Sequence, residues 1–232
     1  MSPGRALGVS LDGLVEHPLL GIVDPSAAAA FERLQQRAQA AGWGLSVASG
    51  YRSFQRQLAI FNAKAAGRRA VLDDAGRRLD SSTLSQNDWL HAILRFSALP
   101  GTSRHHWGTD FDFWDPSAVQ RDYKLRLEAS EYQVGGGFSG INEWLNEQIA
   151  RDDAEGFFRP YSKDLGGVAP EPWHISFRPV ARRLRGQVTA SRLCELWKEA
   201  AQEAEGGRRE PLHFREQIMA EAERLISRYV VP

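Results

Sequence analysis

The chain has 232 residues, 42% of them hydrophobic and 25% charged, which is long enough to bury a core and ordinary for a globular protein. Its 29 Lys and Arg balance 29 Asp and Glu, so the net charge is zero, and a wholesale electrostatic grip on nucleic acid or an anionic membrane is not expected. The single cysteine, Cys194, excludes a disulfide framework and a cysteine-built zinc site, and between Leu193 and Leu196 it reads as a small core hydrophobe.

No apolar segment of signal-peptide length follows Met1–Arg5, because Asp12, Glu16 and His17 interrupt the early apolar residues. No stretch has the length of a membrane span. As the chain stands it is expected in the cytoplasm, with periplasmic or cell-wall action if a leader has been trimmed or export takes another route.

Asp24-Pro25 signals a helix start, followed by Phe31, Leu34, Ala38 and Ala41 at helical spacing, with Gly42 at the end. Trp43–Ala48 is short and apolar with alternation at Leu45 and Val47, which predicts a strand. Ser53 caps a second helix through Phe54, Leu58, Phe61 and Ala65 up to Gly67. Residues 68–84 are polar, and Arg68, Arg69, Arg77 and Arg78 read as a solvated loop. Ser85 and Asp88 resemble a capping box for a helix carrying Trp89, Leu90, Ile93 and Leu94, and Pro100-Gly101 breaks it.

Thr109–Trp114 alternates as a strand, with Phe111 and Phe113 on one face and Asp110 and Asp112 on the other. Gly135-Gly136-Gly137 is a turn without the context of a phosphate loop. Trp144, Leu145 and Ile149 predict another helix, and Trp173–Phe177 a short strand. From Pro179 onward the chain reads as mostly helical, with a packing stripe at Leu212, Ile218, Leu225 and Ile226. Helices come first, then strands and helices mix without regular βαβ alternation. The expected class is α+β: a small antiparallel sheet flanked by helices. One domain over 1–232 is expected, with a core of about 25–180 and a helical C-terminal extension over 181–232.

Three residues stand out as candidate metal ligands: His105, Asp112 seven positions later, and His174. Two imidazoles and a carboxylate suit Zn²⁺ and leave a fourth position for water, which is how a catalytic site differs from a structural one. Zinc lowers the pKa of such a water from about 15.7 toward about 7. A general base must then take its proton, and Glu171, three residues before His174, is the candidate. Each residue also has a plain reading: a histidine beside a tryptophan is commonly a satisfied core residue, Asp112 a cap, and Glu171 a solvated loop residue. His106 competes weakly as a ligand. Arg52, in Ser49-Gly50-Tyr51-Arg52-Ser53, lies between a strand and a helix start, where a bidentate contact with a carboxylate is available; Gln57 follows one turn later.

These clusters, in this order, resemble the D-alanyl-D-alanine carboxypeptidase family of zinc peptidases (the VanY type), which belongs with the lysostaphin and hedgehog zinc folds. The family pattern Ser-x-His-x-x-Gly-x-x-x-Asp is matched by Ser103, His105, Gly108 and Asp112; Glu-x-x-His, with Trp before the His, by Glu171, Trp173 and His174; and Ser-Gly-Tyr-Arg-Ser with a following Gln by Ser49–Ser53 and Gln57. The resemblance spans about residues 25–180. It implies Zn²⁺ held by His105, Asp112 and His174, Glu171 as catalytic base, Arg52 as the group that grips substrate and stabilises charge, and Ser103 and Gln57 as substrate-binding residues. It also implies a metal carried on one face of the sheet.

One departure is Asp110, where the family usually has a small residue. On the same strand face as Asp112 it is expected to orient a ligand histidine, the alternatives being an extra charge near the metal or a pair with an arginine. The implied activity is removal of the C-terminal D-alanine from peptidoglycan stem peptides or muropeptides. The alternatives are an endolysin-like endopeptidase and a non-catalytic zinc-containing binding module. Oligomeric state and the residue preferred before the D-alanine are not written in the sequence.

Overall fold

The computed structural model describes residues 3–205 and 210–230. Residues 1–2 of the N-terminal stretch and 206–209 and 231–232 of the expected helical tail lie outside the described residues.

The first elements are ones that periodicity does not predict: a one-turn helix α1 (Pro3–Ala6) and a hairpin of β1 (Val15–His17) with β2 (Gly21–Val23), Glu16 opposite Ile22. Three-residue strands offer too few alternating positions to make a pattern. Helix α2 (Pro25–Ala40) begins as its caps dictate, with the Asp24 carboxylate accepting from the amides of Ser26 and Ala27. Strand β3 (Ser46–Ser49) starts later than the apolar run and is irregular between Val47 and Ser49, where its pairing register shifts. Helix α3 (Phe54–Ala65) is capped by Ser53.

The polar segment after α3 contains an isolated bridge, Leu72 to Arg78, and a 3₁₀ turn at Ser81–Thr83. Helix α4 (Gln86–Phe96) follows Ser85, whose hydroxyl accepts from the Asp88 amide and donates to the Asp88 carboxylate at 2.6 Å. The shorter Asp side chain thus bonds its own cap residue's hydroxyl.

Strand β4 (Asp110–Trp114) is the centre of the sheet. The stretch after it holds a short helix α5 (Ala129–Tyr132) closed by a capping box of Glu128 and Glu131. Then come α6 (Ser139–Ala150), the two-residue strand β5 (Phe157–Phe158), β6 (His174–Phe177) and α7 (Arg178–Arg185). The C-terminal part is helical: α8 (Ala190–Glu205), α9 (Arg215–Ala220) and α10 (Ala222–Tyr229). The four-stranded sheet runs β3-β4-β6-β5, antiparallel throughout.

Phe111 and Phe113 point into the core as expected: Phe111 lies 5.1 Å from Phe31, ring to ring, and Phe113 lies 5.6 Å from Tyr132. The other face of β4 departs from the simple alternation, because Asp110 and Asp112 are buried too. They are covered by the loops that carry the candidate site. The C-terminal stripe of Leu212, Ile218, Leu225 and Ile226 is buried, Cys194 packs half-buried against the core, and the Trp197 indole donates to the Pro100 carbonyl at 2.9 Å.

The N-terminal turn is fastened to the middle of the chain. Arg5, 1% exposed, donates to Asp24 at 2.7 Å and to the Trp107 carbonyl at 2.7 Å, while the Trp107 indole donates to the Ala6 carbonyl at 3.0 Å. Asp24 thereby serves as helix cap and as counter-ion together. Removing one partner of a buried pair leaves a charge without compensation. Arg5→Met is therefore expected to lower unfolding free energy by about 3–5 kcal/mol, measured by urea denaturation followed by tryptophan fluorescence.

Candidate metal centre and active site

The pairing of β4 with β6 sets Asp112 directly opposite His174 and Asp110 opposite Ser176. His105 comes from a 3₁₀ turn, Arg104–Trp107, that ends on Gly108 with φ +65°. A side chain at Gly108 would meet Leu14 at 2.7 Å and the Asp24 amide at 3.1 Å, so this motif glycine serves both the left-handed turn and the close approach of the N-terminal hairpin. The turn is stitched to the loop after β3 by three bonds. The Arg52 amide donates to the His105 carbonyl at 3.1 Å, His105 Nδ1 to the Gly50 carbonyl at 2.8 Å, and His106 Nδ1 to the Arg52 carbonyl at 2.5 Å.

One ligand atom each from His105, Asp112 and His174 gather within 4.8 Å of one another, all three residues buried. The protonation pattern fits a cation. A carbonyl only accepts, so His105 Nδ1 carries its hydrogen and Nε2 turns its lone pair toward Asp112 Oδ2 at 3.3 Å. His174 Nε2 lies 3.0 Å from Asp110 Oδ1, leaving Nδ1 to face Asp112 Oδ1 at 3.1 Å. Two imidazole lone pairs and a carboxylate thus converge on one point, a donor set that suits Zn²⁺. Among the described residues this is the site with the donors and spacing for a metal ion.

Asp110 fills two of its expected roles at once. It accepts from His174 and from Arg104 Nε at 2.7 Å, with Thr109 Oγ1 on its second oxygen at 2.7 Å. Burial would raise its pKa, but Arg104 and His174 outweigh that and hold it at about 2. Asp112 is likewise held far below the usual carboxylate range, His105 and His174 outweighing burial. Burial lowers His105. It would lower His174 as well, yet the two aspartates overcome it and raise that imidazole to about 9.

His106 is a structural residue. Its Nδ1–H holds the Arg52 carbonyl, its Nε2 accepts from the Gly101 amide at 3.2 Å, and burial lowers its pKa to about 3. A side chain at Gly8, φ +77°, would fall 2.4 Å from its ring.

Glu171 ends 3.5 Å from His174 Nδ1, and burial, followed by the neighbouring Asp112 charge, raises it to about 7. Arg52 is half-buried, facing Asp112 and Glu171, and one of its NH₂ groups donates to Gln57 Oε1 at 2.9 Å; Gln57 in turn donates to the Ala98 carbonyl at 2.6 Å. Ser103 is buried at the start of the 3₁₀ turn and its hydroxyl makes no capping bond. The structure therefore gathers His105, Asp112, His174, Glu171 and Arg52, with Gln57 behind Arg52, while Ser103 lies two residues before His105 with no hydrogen bond to the others among the described residues.

Two further residues belong to the site and carry no sequence signal. Tyr161 packs its ring edge-on to His174 at 5.2 Å, its carbonyl accepts from the Glu171 amide at 3.0 Å, and burial raises its phenol and keeps it neutral. Arg159 donates to the Pro172 carbonyl and to Asn142 and Asn146 of α6, which fixes the loop between Glu171 and His174. An isolated Tyr or Arg in a loop looks like any other until the chain is folded.

A family model described as VanY, D-alanyl-D-alanine carboxypeptidase, matches residues 21–180. The chain belongs to this family. Two uncharacterised Haemophilus influenzae proteins are similar: one is 37% identical over 102 residues, covering 43% of this chain and 76% of that one, and the other 40% identical over 103 residues, covering 43% and 70%. Among solved structures, VanYB in complex with D-alanine-D-alanine superposes with a TM-score of 0.51 at 23% identity, over 74% of this chain and 81% of that one. That likeness establishes a VanY-like fold, with mixed helices, a small antiparallel sheet and a helical C-terminal part. No helix among the described residues is long and apolar enough to cross a membrane.

A carboxylate behind a ligand histidine fixes its tautomer and basicity. Asp110→Asn in this VanY-family chain is expected to weaken zinc binding about 10–100-fold, read by competition with a chromophoric chelator.

Proposed function

We propose that the protein is a zinc-dependent carboxypeptidase that removes the C-terminal D-alanine from peptidoglycan stem peptides or muropeptides. One observation carries the reading: Glu171, a half-buried carboxylate whose pKa is raised to about 7, lies 3.5 Å from His174 and faces Arg52 beside the three-ligand set. A site that only held a metal needs neither a base nor a guanidinium held beside it by Gln57. Membership of a family of peptidases supports the reading, and the VanYB structure holds D-alanine-D-alanine.

His105 and His174 would hold Zn²⁺ through Nε2 and Nδ1, with Asp112 as third ligand. Bound there, zinc supplies Lewis acidity at the scissile carbonyl and lowers the pKa of the attacking water. Glu171 accepts that water's proton and delivers it to the leaving amine nitrogen. Arg52, fixed by Gln57, receives the terminal carboxylate or the charge that develops on the carbonyl, and Ser103 offers its hydroxyl to the same peptide end. Asp110 keeps His174 aimed, and Tyr161 covers the outer edge of its ring.

The test is incubation of the zinc-loaded protein with stem penta- and tetrapeptides, free-acid and amidated, with products read by mass spectrometry. Loss of one alanine from the free acids is expected. Internal cleavage, or cleavage of the amides, would show an endopeptidase, and no cleavage despite stoichiometric zinc a binding module. Glu171→Gln is expected to lower kcat by about 10²–10⁴-fold, as for loss of a general base. Only the ionised carboxylate accepts a proton, so kcat/KM should fall as pH drops through the Glu171 pKa. That pKa is raised to about 7 without the metal, whose positive charge would bring it down again. A pH–rate profile whose acid limb survives Glu171→Gln would count against the assignment.

A further inference from the structure

Helix α3 carries a second cation on the face that holds Gln57. Lys64 lies seven residues beyond Gln57, two helical turns along the same side. Its ammonium donates to Ser97 Oγ at 2.7 Å, while Gln57 donates to the carbonyl of the next residue, Ala98. The two α3 side chains therefore grip the same short segment after α4, one residue apart. The charged groups whose fields reach Lys64 are Arg69, Glu171 and Arg52.

Neither Lys64 nor Arg52 forms an ion pair among the described residues; each makes one side-chain bond, to a neutral oxygen. Half-buried cations without a carboxylate partner are costly. Burial, followed by Arg69, lowers the Lys64 pKa to about 8, the mark of a charge short of compensation. The carboxylate within its field, Glu171, is the base required for the reaction and stands beside His174.

We propose that Lys64 is a substrate-binding residue that, together with Arg52, receives the free C-terminal carboxylate of the peptide and so makes the site selective for chain ends. This rests on the carboxypeptidase reading above. An ammonium has three donors, and Ser97 uses one. The remaining two are available to a carboxylate held between Lys64 and the Arg52 guanidinium, while Gln57 keeps Arg52 in place. The incoming carboxylate supplies the close counter-charge that neither cation has among the described residues. A C-terminal amide carries no charge and leaves both cations uncompensated, which discriminates against internal peptide bonds.

Two measurements test this. In the first, Lys64→Met is compared with the parent protein after thermal melts establish that it folds. KM for the free-acid stem peptide is expected to rise about tenfold or more, as for loss of one charge-assisted bond. Within the same comparison kcat should stay within about twofold, and the inhibition constant of the amidated peptide should change little. A residue that only tied α3 to Ser97 would shift both peptides alike, and that outcome would overturn the proposal.

The second measurement needs no variant at Lys64. Zinc-loaded Glu171→Gln is reductively methylated with formaldehyde and dimethylamine-borane, with and without saturating peptide, and Lys64 is read by peptide mass mapping. Protection by the free acid and not by the amide is expected. Equal labelling in both, in a protein whose parent removes D-alanine, overturns the assignment of Lys64 alone. Failure of the parent to cleave any stem peptide overturns the carboxypeptidase reading and this assignment with it.

Discussion

The antiparallel pairing of β4 with β6 is the constraint on which the site depends. With Asp112 opposite His174 and Asp110 opposite Ser176, two acidic side chains and a histidine share one face of two neighbouring strands. The side-chain period of a strand is two, so a shift of one residue would send Asp110 and Asp112 into the core and bring Phe111 and Phe113 to the site. The aromatic packing of Phe111 on Phe31 and Phe157 prevents that shift. The apolar face fixes the register, and the register places the ligands.

A buried row of carboxylates and imidazoles needs compensation beyond its own members, because an unsatisfied polar group is expensive in a low-dielectric interior. The chain provides it in layers. Arg104 and Thr109 satisfy Asp110, Gly50 satisfies His105, and His106 ties the Arg52 loop to the turn at Gly101. The functional groups themselves are left incomplete: lone pairs converge among His105, Asp112 and His174, and among the described residues the Arg52 guanidinium has a single side-chain partner, Gln57. The contrast between fully bonded supporting residues and unfinished central ones distinguishes a site built for ligands from a polar core built for stability.

What could be read from the sequence follows the range of the interactions. Capped helices such as α2, α3 and α4, and the alternation of β4, depend on neighbours within a few residues, and their signals stand in the local order. The candidate site residues could be named because three short motifs keep their members within about ten residues of one another, each motif crossing from a loop or turn into a strand or helix. The N-terminal hairpin, α5 and β5 were not, being too short for periodicity. Arg159 and Tyr161 were not either, since a residue that props a loop across α6 has nothing near it in sequence to mark it. Asp110 was half-legible: its strand face was evident, but its simultaneous contacts with His174 and Arg104 needed residues 64 and 6 positions away.

The clasp between Arg5, Ala6 and Trp107 bears on how modular the family core is. The segment matched by the family model starts at residue 21, yet the turn carrying His105 and His106 hangs on a backbone carbonyl and an indole that are satisfied from residues 5 and 6. A core transplanted between relatives by homology boundaries alone would arrive with that turn's outer side unmatched and Asp24 stripped of its counter-charge. In this chain the heritable unit of the catalytic fold is therefore larger than the unit of sequence similarity. A recombination point that respects the chemistry lies upstream of Arg5.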